Sequence, residues 1–499
     1  MHILNAQQVR EWDAYTIAHT PITSLQLMEK AATACVDWIA DNYGHETSFA
    51  IFCAKGNNGG DGLAIARLLN LKGYKVTVSI LEFGKLGTDD FQSNLQRLHE
   101  LDILIRFVPT KETIPAIEKD EVVIDALYGS GLNRPLDGLS RLLVEHLNNS
   151  GAAIVSIDLP TGLYADKSLD DGVAIRASHT LTFQCLKPAF LVSENELYTG
   201  KLHVLDIGLQ PAFLETIKSQ YILADEHLAR AIYVPRSRFS HKGSHGHSLI
   251  IAGSYGKMGA AILASRACIR SGTGLLTVYI PKCGYSIMQI ACPEAMVITS
   301  NNETIVDPIN ADLQKYAAIG IGPGIGTAES TLKLLETIIH SSRNRMVFDA
   351  DALNLISRNI DLLNTPHSDW IITPHPKEME RLFGTVSNDF ERIEQARLAA
   401  KRYNIVVVLK GKFTCIATPG GMTYFNSTGN AGLAKGGSGD VLTGIITALL
   451  ANGYSAEGAS ILGCYLHGKA ADLIAPIRSE ESMTPGDLIE FIGAGFLSL

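Results

Sequence analysis

Two stretches place acidic side chains where an anion would be expected to rest. Residues 55–69 read KGNNGGDGLAIARLL, with Asn57, Asn58, Gly59, Gly60 and Asp61 at the mouth of a helical pattern fed by the apolar run SFAIFC at 48–53. A glycine-rich turn opening a helix offers backbone N–H groups to an anion and lets a ligand approach closely. Neither familiar nucleotide pattern fits. No Lys-Ser/Thr pair follows the glycines, as a phosphate loop of the GxxxxGK type requires, and the GxGxxG spacing is absent. Two further carboxylates end apolar runs: Asp125 before YGSGLNRP and Asp158 before LPTG. Alone, each is accounted for as a cap on the next turn. Three together beside an anion cradle call for a cation or a proton-transfer task. The second stretch, NAGLAKGGSGDVLTG at 430–444, puts Gly436, Gly437 and Gly439 ahead of Asp440 and an apolar helix. There the helix N-terminus can form an anion hole, and the aspartate can act as base toward a hydroxyl about to receive a phosphoryl group.

Short apolar runs alternating with helical stretches must position these groups, which is the pattern of parallel sheets covered by helices. In the first half they are SFAIFC, KVTVSIL (75–81), EVVIDAL (121–127), AAIVSIDLP (152–160), HTLTFQC (179–185) and KLHVLDIGL (201–209). Ligands of open α/β sheets bind beyond the carboxyl ends of the strands, so the turns after 53, 125 and 158 are expected to share one crevice. A less periodic connection follows Leu209. A second series runs from HSLIIAGSYGKMGAA through YAAIGIGPGIG, RMVFDADALNL and DWIITPHPKE to IVVVLKGKFTCIA. No register aligns the halves as a repeat, so two different catalytic domains are expected: 1–217, a linker at 218–227, and 228–499.

With 499 residues, 46% of them hydrophobic, the chain exceeds one ordinary core. The formal charge of −9 argues against a large nucleic-acid footprint. Eight scattered cysteines without CxxC pairs suit a reducing compartment. No apolar run reaches membrane-spanning length, and the polar start MHILNAQQVREWDAY is unlike a signal peptide. A cytoplasmic enzyme is expected, with no nucleic-acid or membrane partner, and a homo-oligomer.

In order, LMEKAA, GNNGGDGL, DALYGSGLNRPL and DLPTG resemble the NAD(P)H-hydrate epimerase domain over nearly all of residues 1–215. The resemblance implies a Rossmann-like three-layer sandwich that interconverts the R and S epimers of hydrated NADH and NADPH with a bound potassium ion. Carried over, Asn57, Asn58, Gly59, Gly60 and Asp61 contact the hydrate. So do Gly129, Ser130, Gly131, Leu132, Asn133, Arg134, Pro135 and Asp158. Asn58, Asp125 and Thr161 bind potassium, their amide, carboxylate and hydroxyl oxygens suiting a hard cation. Asp158 is the candidate acid/base. The family's usual LMENAG reads LMEKAA here, with Lys30, and its DLPSG reads DLPTG, with Thr161.

HKGSHGHSLIIAGSYGKMGAA, GIGPGIG, TPHPKE, LKGKFT and GNAGLAKGGSGDVLTG together resemble the ADP-dependent NAD(P)H-hydrate dehydratase, a ribokinase-like fold, over roughly 228–499. That resemblance places Ala260, Gly324, His375 and Asp440 toward the hydrate. It places Lys410, Gly411, Lys412, Phe413, Thr414 and Gly439 toward ADP. It implies removal of the added water with ADP or ATP as cosubstrate and magnesium as a further cofactor. Asp440 is the candidate catalytic residue and Lys410 a neutraliser of nucleotide charge.

Other features keep plainer readings. His241, His245 and His247 do not match a common zinc spacing and read as loop histidines making hydrogen bonds. His375 before Pro376 shapes a turn as well as matching the motif, which usually reads HPGE and carries Lys377 here. Asp349 and Asp351 in FDADALN serve metal, phosphate or a helix cap and stay outside the catalytic set. The alternative to a bifunctional repair enzyme is a small-molecule kinase, for a vitamin or sugar, with a non-catalytic ligand-binding first domain.

Overall fold

The computed structural model describes residues 1–499 except 310, 342 and 368. The chain divides into two compact units, residues 2–219 and 220–499.

The first unit is built on β1 (Ser48–Cys53), β2 (Lys75–Leu81), β3 (Leu104–Val108), β4 (Val122–Ala126), β5 (Ala153–Ile157), β6 (His179–Phe183) and β7 (Lys201–Leu205). Their order is β3-β2-β1-β4-β5-β6-β7, with every pairing parallel. Strands covered on both faces must be apolar on both, so SFAIFC and VVIDA read as runs rather than alternations. Helices Ser24–Asn42, Asn57–Leu71 and Asp89–Leu98 pack on one face through Val36, Ile39, Leu63, Leu69 and Leu98. Helix Gly138–Asn149 covers the other through Leu143, Val144 and Leu147. Strand order reverses between β1 and β4, which opens the crevice where Asn57–Asp61 and Asp125 lie. Glycine is required beside it: a Cβ at Gly59 would collide with the Ala54 carbonyl oxygen, and one at Gly62 would lie 2.5 Å from the Ala126 Cβ and 2.7 Å from the Cys53 Sγ.

The second unit carries β8 (Tyr221–Ala224), β9 (His247–Ile251), β10 (Leu275–Ile280), β11 (Met296–Thr299), β12 (Ala318–Ile321), β13 (Arg345–Phe348), β14 (Trp370–Ile372), β15 (Val406–Leu409), β16 (Cys415–Ala417) and β17 (Thr423–Asn426). They run in the order β8-β17-β16-β15-β14-β13-β12-β9-β10-β11. Only the β15–β16 and β16–β17 pairings among them are antiparallel. Helices Met258–Arg270, Ser438–Ala451, Ala456–Ile474 and Pro485–Leu497 bury their apolar faces in the core of this unit. Residues 218–227, expected as a linker, contain β8, whose backbone pairs with β17 from Thr423 to Asn426. That run was too short for its periodicity to declare a strand, and the second unit begins at Gln220.

All eight cysteines are free thiols, seven of them buried. Among the described residues no helix is long and apolar enough to cross a membrane.

Candidate active sites

In the first unit the three expected carboxylates lie at the carboxyl ends of parallel strands or in the helix facing them. Asp125 closes β4 and is fully buried. Its Oδ1 accepts from the Thr161 hydroxyl (2.6 Å) and the Leu127 N–H (3.3 Å), and its Oδ2 from the Ser156 hydroxyl (2.7 Å) and the Thr161 N–H (2.9 Å). Burial raises its pKa, and these four donors act against that rise. The Thr161 hydroxyl also accepts from the Tyr128 N–H at 2.9 Å, so threonine does here what a serine hydroxyl would do. Asn58 Nδ2 is buried without a hydrogen-bond partner, and the Asn58 Oδ1 lies 2.9 Å from where a Cβ on Gly129 would sit. A buried carboxylate, a hydroxyl and an amide oxygen form a hard donor set.

Asp158 follows β5 with φ +66°, in the left-handed region that side-chain-bearing residues seldom occupy. Its Oδ1 accepts from the Lys187 ammonium at 2.8 Å and its Oδ2 from the Ser130 N–H at 3.0 Å. Lys187 is 0% exposed and also donates to the Thr182 hydroxyl (2.6 Å) and the Phe183 carbonyl (3.1 Å). Burial alone would raise the Asp158 pKa. The Lys187 charge and hydrogen bond outweigh it and hold the carboxyl below its ordinary value. Asp61 sits in the opposite condition: burial first, then the charges of Asp158, Asp13 and Asp90, push it well up. Its surroundings therefore favour the neutral form of Asp61, which eases the conflict its sequence position raised.

Not every expected contact is gathered equally. Gly129 and Ser130 meet Asp158, while Gly131, Asn133, Arg134 and Pro135 run outward on an exposed loop with Leu132 half-buried. Asn57 is exposed. Lys30 points its Nζ to within 3.6 Å of where a Gly208 Cβ would sit. Lys187 and Asp13 belong to no motif quoted from the sequence. The only trace of Lys187 was a single cation inside the apolar run FQCLKPAFLV.

In the second unit, helix Ser438–Ala451 starts after Gly437 at φ +100°, a conformation that needs glycine. Its first-turn N–H groups have no intrahelical acceptors, as at any helix start, and that of Ser438 donates to the Lys435 carbonyl at 3.3 Å. Asp440 lies in that turn. Burial first, then Asp349 and Asp351, raise its pKa to about 6 against the opposing charge of Lys410. Lys410 ends its strand run with Nζ 2.8 Å from Asp349 Oδ1 and 3.8 Å from Glu378 Oε2. The Thr443 hydroxyl donates to Asp349 Oδ2 at 2.8 Å. A Cβ at Gly439 would sit 3.6 Å from Lys410 Nζ and 3.7 Å from Asp349 Oδ2. Asp349, left outside the catalytic set from sequence, is thus the buried hub that joins the Lys410 strand end to the Asp440 helix.

His375 caps helix Pro376–Phe383, its Nδ1 accepting from the N–H groups of Lys377 (3.1 Å) and Glu378 (3.3 Å). The Lys377 departure therefore leaves the cap intact, with its side chain exposed. Burial lowers the His375 pKa. Ala260 and Gly324 are brought together: a Cβ at Gly324 would lie 3.2 Å from the Ala260 Cβ, and the Gly324 carbonyl accepts from Ser254 Oγ at 2.7 Å. Asp351 adjoins them, accepting from the Gly326 N–H at 2.9 Å. Of the residues expected at ADP, Lys410 and Gly439 join the Asp349 hub. Gly411, Lys412, Phe413 and Thr414 form the turn into β16, with Thr414 Oγ1 donating to the Gly411 carbonyl (3.1 Å) and Lys412 Nζ to the Gly429 carbonyl (3.2 Å). His247 pairs with the Thr277 hydroxyl at 2.8 Å, and no metal-holding group of three His, Cys, Asp or Glu occurs among the described residues.

An open parallel sheet with an acidic crevice at its switch point, followed by a mixed sheet with a GSGD helix turn, defines a fusion of a Rossmann-like and a ribokinase-like module. Residues 24–189 match the family described as YjeF-related protein N-terminus, and residues 248–493 match NAD(P)H-hydrate dehydratase. The chain is 33% identical to the bifunctional NAD(P)H-hydrate repair enzyme of Moorella thermoacetica, over 99% of this chain and 96% of that one. It is 35% identical to the enzyme of that name from Escherichia coli, over 94% and 88% respectively. An ADP/ATP-dependent NAD(P)H-hydrate dehydratase from Bacillus subtilis, co-crystallized with ATP and Mg2+, is 30% identical, covers 55% of this chain and 98% of its own, and superposes with a TM-score of 0.49. The chain belongs to the family of bifunctional NAD(P)H-hydrate repair enzymes.

Proposed function

We propose that the first unit interconverts the R and S epimers of hydrated NADH and NADPH, and that the second dehydrates the S epimer at the expense of ADP or ATP. AMP or ADP and phosphate are released with the restored dinucleotide. The observation that carries this reading is the placement of Asp440 in the first turn of helix Ser438–Ala451, joined to the Asp349–Lys410 pair by charge. A carboxyl with a pKa of about 6 is mostly ionised at neutral pH and basic enough to take a hydroxyl proton. Asp440 removes that proton as the hydroxyl oxygen of the hydrate attacks the terminal phosphorus of the nucleotide. The helix N–H groups hold the transferring phosphoryl. The ring nitrogen's lone pair then expels phosphate from the neighbouring carbon, and loss of a proton from the adjacent ring carbon restores the dihydropyridine. Ala260, Gly324 and His375 line the hydrate side. Lys410 through Thr414, with Gly439, line the nucleotide side, Lys410 acting together with Asp349 rather than as a free cation. Magnesium, when bound with the nucleotide, supplies charge neutralisation at the phosphoryl oxygens.

In the first unit the donor set of Asn58, Asp125 and Thr161 fits a potassium ion, since Asp125 is buried and its contacts are all neutral donors. Such an ion supplies the positive charge that makes this carboxylate tolerable. Asp158, held ionised by Lys187, serves as the base. The Asn57–Asp61 turn and the Gly129–Pro135 loop enclose the hydrate. A cytoplasmic homo-oligomer, with epimerisation in the unit 2–219 and dehydration in the unit 220–499, completes the proposal. The test is separation of the two activities: the first without nucleotide on either pure epimer, the second on the pure S epimer with ADP or ATP. Phosphorylation of a vitamin or sugar alcohol with no action on the hydrates would replace this reading by a kinase.

A further inference from the structure

Three neighbouring parallel strands of the second unit, β9, β12 and β13, end side by side in turns that meet. Lys257 closes the first of these turns, as the residue before helix Met258–Arg270. Its N–H donates to the Ser254 carbonyl (2.8 Å), and its own carbonyl accepts from the Ala260 N–H (3.2 Å). The Ser254 hydroxyl and the Gly253 N–H donate across to the Gly324 and Pro323 carbonyls at 2.7 and 2.8 Å, tying this turn to the one after β12. A Cβ at Gly324, where φ is +64°, would lie 3.2 Å from both the Cβ and the carbonyl oxygen of Lys257. Lys257 thus adjoins Ala260 and Gly324, the pair expected at the hydrate.

Its side chain leads on to the turn after β13. The ammonium stands 3.6 Å from Asp351 Oδ2, the oxygen that accepts from the Gly326 N–H at 2.9 Å. At that length the pair is a charge contact without a hydrogen bond. Among the described residues the Lys257 ammonium has no acceptor, and its side chain is 57% exposed. All three of its N–H donors are open to a ligand. The other groups nearby are differently placed. Lys410 is committed to Asp349 at 2.8 Å, and burial disfavours the charged form of His375. Asp349, Asp351 and Asp440 make the crevice acidic, so a ligand that brings more negative charge needs a cation not already occupied.

We propose that Lys257 is a substrate-binding residue of the dehydratase site, its ammonium holding the pyrophosphate of the hydrated dinucleotide. The inference rests on the reading of the second unit as an NAD(P)H-hydrate dehydratase. A pyrophosphate carries two negative charges on non-bridging oxygens, which suits a compact ammonium with rotatable donors. The glycines at 253 and 324 let such a group come close to the backbone of the two turns. This part of the substrate does not react, so the contact is equal in the ground and transition states and acts on KM rather than on kcat.

The test follows dehydration of the pure S epimer by the full chain carrying Lys257→Met or Lys257→Arg, varying the hydrate at saturating nucleotide and the nucleotide at saturating hydrate. Lys257→Met is expected to raise KM for the hydrate about tenfold or more, with kcat and KM for the nucleotide within about twofold of the wild type. Lys257→Arg, which keeps the charge, stays close to the wild type. The wild-type KM for the hydrate rises with ionic strength more steeply than that of Lys257→Met. Asp351→Asn removes the partner charge and keeps an oxygen for the Gly326 N–H, and Lys257→Met raises KM by the same factor in that background. Unchanged epimerisation and an unchanged melting transition of the second unit show that the variants are folded. An unchanged KM for the hydrate, or a rise in KM for the nucleotide instead, overturns the proposal. So does a rise that vanishes in the Asp351→Asn background, since Lys257 would then act only through its partner. A wild-type chain that does not dehydrate the S epimer removes the dehydratase reading itself and the proposal with it.

Discussion

Replacing Lys187 by methionine removes the ammonium that pairs with Asp158 while keeping an unbranched side chain at its place. Lys187 is fully buried and Asp158 is 8% exposed, so water cannot take over the lost 2.8 Å contact. Left ionised, the carboxylate would cost about 3–5 kcal/mol, as breaking one side of a buried pair does. It can escape only by protonation. From an ordinary carboxyl pKa near 4, holding a proton at pH 7 costs about 1.4 kcal/mol per pH unit, or roughly 4 kcal/mol, and at pH 5 only about 1.5 kcal/mol. The sign follows from linkage. In the wild type the depressed Asp158 contributes stability above its unfolded pKa and loses it as pH falls. In Lys187→Met the carboxyl is raised instead, so the damage grows as pH rises from about 4 toward neutrality. Urea unfolding at pH 5 and pH 7.5, followed by the fluorescence of Trp12 and Trp38 in the first unit, measures both ends of that range. Adding Asp158→Asn to Lys187→Met is expected to recover most of the loss at pH 7.5. Equal destabilisation at the two pH values, or a double variant that loses the sum of the two single losses, refutes the argument.

Further outcomes follow from the other contacts. Asp440→Asn is expected to lower dehydration of the S epimer by about a hundred- to ten-thousandfold while epimerisation persists; in the wild type the dehydration rate rises with pH through about 6 and then levels. Exchanging potassium for tetramethylammonium is expected to suppress epimerisation alone, and Thr161→Val to raise the potassium requirement about ten- to a hundredfold, read from rate against potassium concentration. Gly62→Ala puts a methyl 2.5 Å from the Ala126 Cβ and is expected to destabilise the first unit by about 1–3 kcal/mol in urea titration.

What the sequence disclosed and what it concealed separate by the range of the interaction. Asp125, Asp158 and Asp440 could be placed because each follows or opens an element whose period is local, and parallel-sheet topology sends those turns to one edge. The GSGD turn needed only its glycines. Lys187 stands 29 positions from the carboxylate it neutralises, so the pairing leaves no spacing to read. Asp349 was visible as an acid after a strand, yet its partners Lys410 and Thr443 lie 61 and 94 positions away, and only folding makes it a hub rather than a cap. The strand Tyr221–Ala224 was missed for a related reason. Four residues carry too little period to announce a strand, and its pairing with Thr423–Asn426 is wholly tertiary.

The central claim is that one chain repairs both epimers with two independent sites. The direct measurement is recovery of reduced dinucleotide absorbance from an equal mixture of R and S hydrates, with ADP, with ATP and with no nucleotide. Complete recovery of both epimers is expected when the accepted nucleotide is present and none without it, while the R and S forms still interconvert in its absence. Recovery that stops at the S fraction, or hydrates left untouched under every condition, contradicts it.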